Sequence, residues 1–170
     1  DAKLSLFARL HGPATVGIVN LDDPSAGVFI GVTREAGARV VTYGTQDAAD
    51  IRATSLTEGP AGLRAVIETP DGAATMDLRL AGRFNVLNGL AVVALGHALG
   101  LDPAATRAGL ASVERVPGRM ERLDLGQSFR VVVDFAHSPA SLQTVLDLLA
   151  PTAAARGGGL IAVFGSVISL

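Results

Sequence analysis

Arg130-Val-Val-Val-Asp-Phe-Ala-His-Ser-Pro139, preceded by Val116-Pro-Gly-Arg-Met-Glu-Arg122, is the stretch that decides the fold. Its apolar run, Phe129 to Phe135, predicts a buried strand, and Ser138-Pro139 predicts the cap of a helix running through Leu149. One carboxylate, Asp134, and one imidazole, His137, are thereby brought to a strand-to-helix junction. In α/β folds that junction is where phosphate-bearing ligands settle.

Working outward, strand and helix signals alternate. Leu4, Leu6, Phe7 and Leu10 are spaced as on the end of an amphipathic helix within Ala2 to His11. Val16 to Asn20 reads as a short strand, Ser25 to Glu35 as a helix capped after the turn Asp22-Asp-Pro-Ser25, and Arg39 to Gly44 as a second strand parallel to the first. Runs at Ile51–Thr57, Leu63–Thr69 and Thr75–Leu80 are separated by Glu58-Gly-Pro-Ala-Gly62 and Pro70-Asp-Gly72, which carry hairpin chemistry, so an antiparallel meander is expected at the edge of the parallel sheet or against it. Phe84 to Leu99 is the strongest helix, with Val86, Leu90, Val93, Ala94 and Ala98 at helical spacing and Gly100 as a stop. Asp102-Pro103 starts another helix, running to about Val113, and Leu160 to Phe164 predicts a final buried strand after a glycine-rich turn.

The fold class is therefore α/β: a partial parallel sheet with flanking helices and an antiparallel meander, then the start of a Rossmann-like unit. The boundary is expected near Glu114–Gly118, giving domains 1–115 and 116–170.

Composition narrows the function. With 14 basic and 16 acidic residues the net charge is −2, which offers no electrostatic footprint for a nucleic acid or an anionic membrane. No apolar run reaches the ~20 residues that span a bilayer, and the first residues lack a signal peptide's layout. Cysteine is absent, which removes disulfides and thiolate metal sites and is compatible with the cytoplasm. The chain begins without Met and is expected to be a piece of a longer protein. Lys3 is the single lysine beside 13 arginines, a bias typical of GC-rich coding.

Several side chains carry candidate chemistry. The two oxygens of Asp134 suit vicinal hydroxyls such as those of a ribose, or serve as a negative charge at the helix start. His137 suits a phosphate or a carboxylate, or a backbone carbonyl. Arg119 follows the rigid-then-permissive pair Pro117-Gly118, a placement that aims a guanidinium at a phosphate or sugar, while Glu121 and Arg122 read as an exposed charged edge. Asn85 and Asn88, three apart on the first turn of a helix, suit the donor and acceptor edge of a heterocycle, and capping accounts for one of them. His97 reads as a core histidine in mid-helix, and His11 has no comparable support.

In this order, Ala2-Lys-Leu-Ser-Leu-Phe7, Asn20-Leu-Asp-Asp-Pro24, Gly82-Arg-Phe-Asn-Val-Leu-Asn88, Gly118-Arg-Met-Glu121 and Val133-Asp-Phe-Ala-His-Ser-Pro139 resemble the Mur ligases, over nearly the whole chain. The resemblance is strongest to the branch that adds the third residue of the peptidoglycan stem peptide. It implies a cytoplasmic, ATP-dependent amide ligase that acts on a UDP-N-acetylmuramoyl-dipeptide and an amino acid, with ATP and Mg2+ as cofactors. In such enzymes the substrate carboxylate becomes an acyl phosphate, which the amine then attacks. The resemblance carries Asn85 and Asn88 to the adenine and Arg119 and Asp134 to ribose and phosphate. It makes His137 the motif histidine, and Lys3 a carbamylated lysine that serves catalysis as a magnesium-site group. Carbamylation would turn a cation into an oxygen ligand for a hard metal, whereas an unmodified Lys3 is an ordinary snorkelling side chain.

Departures qualify the likeness. The chain holds no Gly-x-x-Gly-Lys-[Ser/Thr] phosphate loop; in the family that loop precedes the lysine motif, so it is expected upstream of Asp1. The uridine-nucleotide domain and the segment that selects the incoming amino acid are likewise expected outside these residues. Folylpolyglutamate synthase or another Mur ligase is the alternative within the enzyme class. A noncatalytic nucleotide-binding or assembly module is the alternative outside it. Apolar surface normally covered by missing strands is expected to promote association.

Overall fold

The computed structural model describes residues 2–59 and 62–165. They divide into two compact units, Asp1–Glu114 and Arg115–Leu170. The chain end Ser166-Val-Ile-Ser-Leu170 and the Pro60-Ala61 pair of the first hairpin separator lie outside the described residues.

In the first unit, β1 (Val16–Asn20), α2 (Ala26–Glu35) and β2 (Arg39–Gly44) form a β-α-β unit whose strands pair in parallel, Val16 with Arg39 through Asn20 with Tyr43. The helix α1 (Ala2–Phe7) precedes them and sets Phe7 edge-on to Phe29 of α2, ring centroids 4.9 Å apart. It ends four residues short of the expected His11, after which residues 8 and 9 form a turn. Ser25 precedes α2 but its side chain does not cap it: the hydroxyl and the backbone N–H both turn to Asp23 Oδ1.

The meander extends this sheet. β3 (Ile51–Gly59), β4 (Gly62–Thr69) and β5 (Gly72–Leu78) follow in order, giving one mixed five-stranded sheet, β1-β2-β3-β4-β5. Only Tyr43 and Gly44 of β2 pair with Ile51 and Arg52 of β3, so six connecting residues suffice where a full parallel ladder would need a long crossover. The Asp50 carboxylate secures this step by accepting from the Thr42 N–H at 2.8 Å and the Thr42 hydroxyl at 2.7 Å.

Alternation along the strands assigns the two faces. Leu63, Ala65 and Ile67 of β4 are buried while Arg64, Val66 and Glu68 between them are exposed, the period of two that an edge meander with one wet face requires. On the covered face lies α3 (Phe84–Ala98), where Val86, Leu90, Val93 and Ala94 close the core with Ile51, Met76 and Leu78. α2 covers the opposite face. Gly17 allows its approach: a Cβ there would sit 2.6 Å from Thr33 Oγ1. α4 (Pro103–Ser112) closes the unit, capped by Asp102, whose carboxylate accepts from the N–H groups of Ala104 and Ala105.

His97 departs from its expected core role. It sits in the last turn of α3 with Nδ1 3.1 Å from Asp71 Oδ2, in the turn between β4 and β5. The partner is 26 residues away in sequence, beyond the reach of any helical periodicity.

The second unit is built differently. β6 (Glu121–Leu123) and β7 (Val131–Val133) form an antiparallel pair, followed by α5 (Pro139–Ala155). The expected strand Phe129–Phe135 is thus cut to three residues and is not buried, Val133 being 42% exposed. The expected strand Leu160–Phe164 does not form: no described strand pairs with it, and a strand exists only as a paired ladder. α5 runs past the expected end at Leu149, carrying Pro151 inside it and continuing into Thr152-Ala-Ala-Ala155. Proline lacks the N–H and so removes one hydrogen bond from the helix, and strong helix formers follow it.

Candidate functional site

In the second unit the hairpin register sets the site. Glu121 pairs with Val133, so Met120 and Asp134 follow opposite each other at the same end of the hairpin, beside the start of α5. The chain reaches that point through a tight turn in which the Arg119 N–H donates to the Val116 carbonyl at 3.0 Å. Gly118, at φ +67°, and Met120, at φ +49°, both take the left-handed conformation around Arg119. A non-glycine residue adopts that conformation at a cost of about 1–2 kcal/mol.

Two carboxylates hold the turn. Glu121 Oε2 accepts from the Gly118 N–H at 2.8 Å, and Asp134 Oδ2 accepts from the Met120 N–H at 2.8 Å. The other oxygen of Asp134 accepts from the Ala136 N–H at 2.8 Å, so this carboxylate stitches the turn to the strand end. Glu121 is therefore not part of an exposed charged edge: it is half-buried and committed to the backbone. Its signals in the sequence were its place three residues after a glycine in a turn and its membership of the Gly118-Arg-Met-Glu121 motif.

The Arg119 guanidinium lies over the Phe135 ring, 4.9 Å from its centroid, and the Phe135 ring meets the His137 ring edge-on at 5.2 Å. His137 Nδ1 is 2.9 Å from the Phe135 carbonyl. A carbonyl only accepts, so the neutral ring carries its hydrogen on Nδ1 and keeps its basic lone pair on Nε2. Ser138 then caps α5 in a reciprocal arrangement with Ser141, satisfying the first turn.

In the first unit Asn85 and Asn88 do meet, but neither caps α3. Asn85 Nδ2 donates to the Ala81 carbonyl at 2.7 Å, and Asn88 Nδ2 donates to Asn85 Oδ1 at 3.0 Å. Residue Arg83 occupies the cap position without a side-chain bond. Asn85 thus orients Asn88, and among the described residues Asn88 keeps its own Oδ1 and one amide hydrogen unused, the pair a heterocycle edge requires.

Asp22, placed by the sequence only in a turn, ties two strand ends together. It accepts from the Thr45 N–H and hydroxyl and from the Gln46 N–H, and a Cβ on Gly44 would sit 2.7 Å from Asp22 Oδ1. Asp22, Thr45, Ser55, Leu56, Arg83 and Phe84 line a hollow of about 540 Å³ at this end of the sheet. Close by, the Ser25 hydroxyl and N–H, and to a smaller degree the charge of Lys3, hold the Asp23 carboxyl below the usual carboxylate range, against a small opposing effect of burial. Burial, reinforced by Asp22 and Asp23, pushes the Tyr43 phenol up. Lys3 is exposed on α1, and among the described residues no group of three or more His, Cys, Asp or Glu converges as a metal-ligand set. Magnesium in nucleotide sites takes only one or two protein oxygens beside phosphates and water, and a carbamate on Lys3 would be a ligand of that kind.

Comparison with known proteins agrees with the motif order. Residues 1–96 match the Mur ligase middle domain, and residues 118–170 match the Mur ligase, glutamate ligase domain. The chain belongs to the Mur ligase family. It is 38% identical to a UDP-N-acetylmuramoyl-L-alanyl-D-glutamate--2,6-diaminopimelate ligase of Geobacter metallireducens, over 97% of this chain and 32% of that one. It is 39% identical to a UDP-N-acetylmuramyl-tripeptide synthetase of Roseiflexus sp., over 89% and 29%. A solved structure of a UDP-N-acetylmuramoyl-L-alanyl-D-glutamate--2,6-diaminopimelate ligase superposes with a TM-score of 0.69 at 30% identity, over 87% of this chain and 30% of that one. The chain spans about a third of the length of the curated relatives it matches.

Proposed function

We propose that these residues serve an ATP-dependent ligase that adds the third amino acid to a UDP-N-acetylmuramoyl-dipeptide in peptidoglycan synthesis, in the cytoplasm. On this reading residues 1–115 are the latter part of the central nucleotide-handling domain and residues 116–170 begin the C-terminal domain. The substrate carboxylate attacks the γ-phosphorus of ATP, ADP leaves, and the amine of the amino acid displaces phosphate from the acyl carbon. Both steps gather negative charge, which cationic side chains must neutralise.

Each resident side chain has a defined part in this proposal. Asn88, oriented by Asn85, offers one acceptor and one donor to the adenine edge. The guanidinium of Arg119 meets phosphate or sugar oxygens. Asp134 keeps one lone pair on each oxygen beyond the two backbone amides it already serves, enough to accept a ribose hydroxyl. His137 Nε2 takes or gives a proton at a phosphate oxygen. Lys3, as a carbamate, would contribute oxygen to a magnesium ion, which would neutralise charge on the phosphates when bound.

The observation that carries the reading is the carboxylate-held turn that presents Arg119 beside the strand end of Asp134. Titration of ATP into the 170-residue chain tests it: saturable binding is expected, weakened by Asn88→Ala and by Arg119→Ala by about tenfold each. Equal binding in all three proteins overturns it. Without a phosphate loop in these residues, the chain is expected to hydrolyse no ATP above a blank.

A further inference from the structure

Three successive backbone N–H groups, those of Gly118, Arg119 and Met120, run through a turn whose outer two residues are left-handed. Such runs of amides elsewhere form concavities that bind anions directly. Here every one is already spent on an oxygen of the chain: Glu121 Oε2, the Val116 carbonyl and Asp134 Oδ2. A phosphate approaching this turn therefore finds no free amide and must be recognised by the side chain that projects from it.

We propose that Glu121 is a positioning residue for Arg119: with Asp134 it locks the left-handed turn so that the guanidinium is presented, already ordered on the Phe135 ring, to a phosphate-bearing ligand. This rests on the nucleotide reading of Arg119 and adds to it a residue with no other assigned part. The two carboxylates act on either side of Arg119 in sequence, one on the amide before it and one on the amide after it. Met120 makes the restraint necessary, because an L side chain at φ +49° returns to an ordinary conformation unless something holds it. Hydrogen bonds from amides to ionised acceptors are among the strongest available for that purpose. The consequence for the ligand is entropic: the guanidinium sits 4.9 Å over an aromatic ring before the anion arrives, so less freedom is lost on binding.

The experiment reads the 170-residue chain by 15N–1H correlation spectroscopy without ligand, then with ADP. In the parent, the Arg119 Nε–Hε signal is expected to carry a ring-current shift from Phe135, and the Gly118 N–H a downfield shift from its carboxylate acceptor. Glu121→Ala removes both shifts and weakens ADP binding by about tenfold. Glu121→Gln, whose carboxamide oxygen still accepts, retains the Arg119 shift and stays within about threefold of the parent. An Arg119 signal unmoved in Glu121→Ala overturns the proposal, as does a Glu121→Gln protein that loses as much as Glu121→Ala. Should the parent and Arg119→Ala bind ADP alike or not at all, the nucleotide reading fails, while the ligand-free Arg119 shift still decides whether Glu121 positions the side chain.

Discussion

In the first unit Leu63-Arg-Ala-Val-Ile67 buries every second side chain, whereas in the second the wholly apolar Leu160-Ile-Ala-Val-Phe164 leaves Ile161 and Val163 89% and 94% exposed. The two segments share β-branched and aliphatic composition and differ in neighbours. β4 lies between β3 and β5 and under α3, so each backbone group finds a ladder partner and each inward side chain a packed one. Residues 160–164 have neither among the described residues. The first unit is held by a core; the described part of the second, with no fully buried side chain, is held by polar ties such as those of Asp134, Glu121 and Ser138.

The largest test of that contrast is a core truncation. Ile67→Ala or Leu90→Ala, both fully buried, is expected to destabilise the first unit by about 3–4 kcal/mol in urea unfolding. A loss under about 1 kcal/mol would mean the sheet and α3 are not closely packed. Hydrogen exchange sharpens the same point: β4 amides are expected to exchange about a hundredfold or more slowly than those of α5, and equal protection would erase the distinction between the units.

Polar ties should matter most in the second unit. Asp134→Asn leaves one carbonyl oxygen for two amide donors and is expected to cost about 1–2 kcal/mol there, while leaving the unfolding of the first unit unchanged. Gly89→Ala probes the core from the other side, since its Cβ would meet Met76 Sδ at 2.8 Å. The gain in helix preference offsets part of the overlap, for a net loss of about 1 kcal/mol in thermal unfolding.

The smallest effect is one of pH. The Tyr43 phenol is raised in the folded state, so its contribution to stability is fully present below the unfolded value and is lost as pH rises through the folded one. Unfolding midpoints should therefore fall in alkaline solution above about pH 10, and Tyr43→Phe should flatten that decline.

Much of the fold was legible residue by residue. The alternation of β4, the helical spacing of Val86, Leu90 and Val93, the Asp102 cap and the Ser138-Pro139 cap are each local, and each is where the sequence places it. The misreadings turn on which of several possible partners a polar side chain takes, and only the His97 partner is distant in sequence. His97 turns to Asp71 across a hairpin, Ser25 turns back to Asp23, and Asn85 turns to the Ala81 carbonyl instead of capping α3. Of the candidate site, Asp134, His137, Arg119 and the two asparagines stand out by motif and placement, whereas Glu121 and Asp22, though within motifs, act as acceptors of backbone amides, a role no side-chain pattern announces.

The order of the motifs determined by itself that this chain is a Mur ligase segment, because each motif is a local run of residue types that no tertiary contact is needed to write. The tertiary structure alone decided which apolar runs become strands and which carboxylates become backbone acceptors. Both depend on what stands opposite a residue in space, and a linear pattern of polarity carries no record of that.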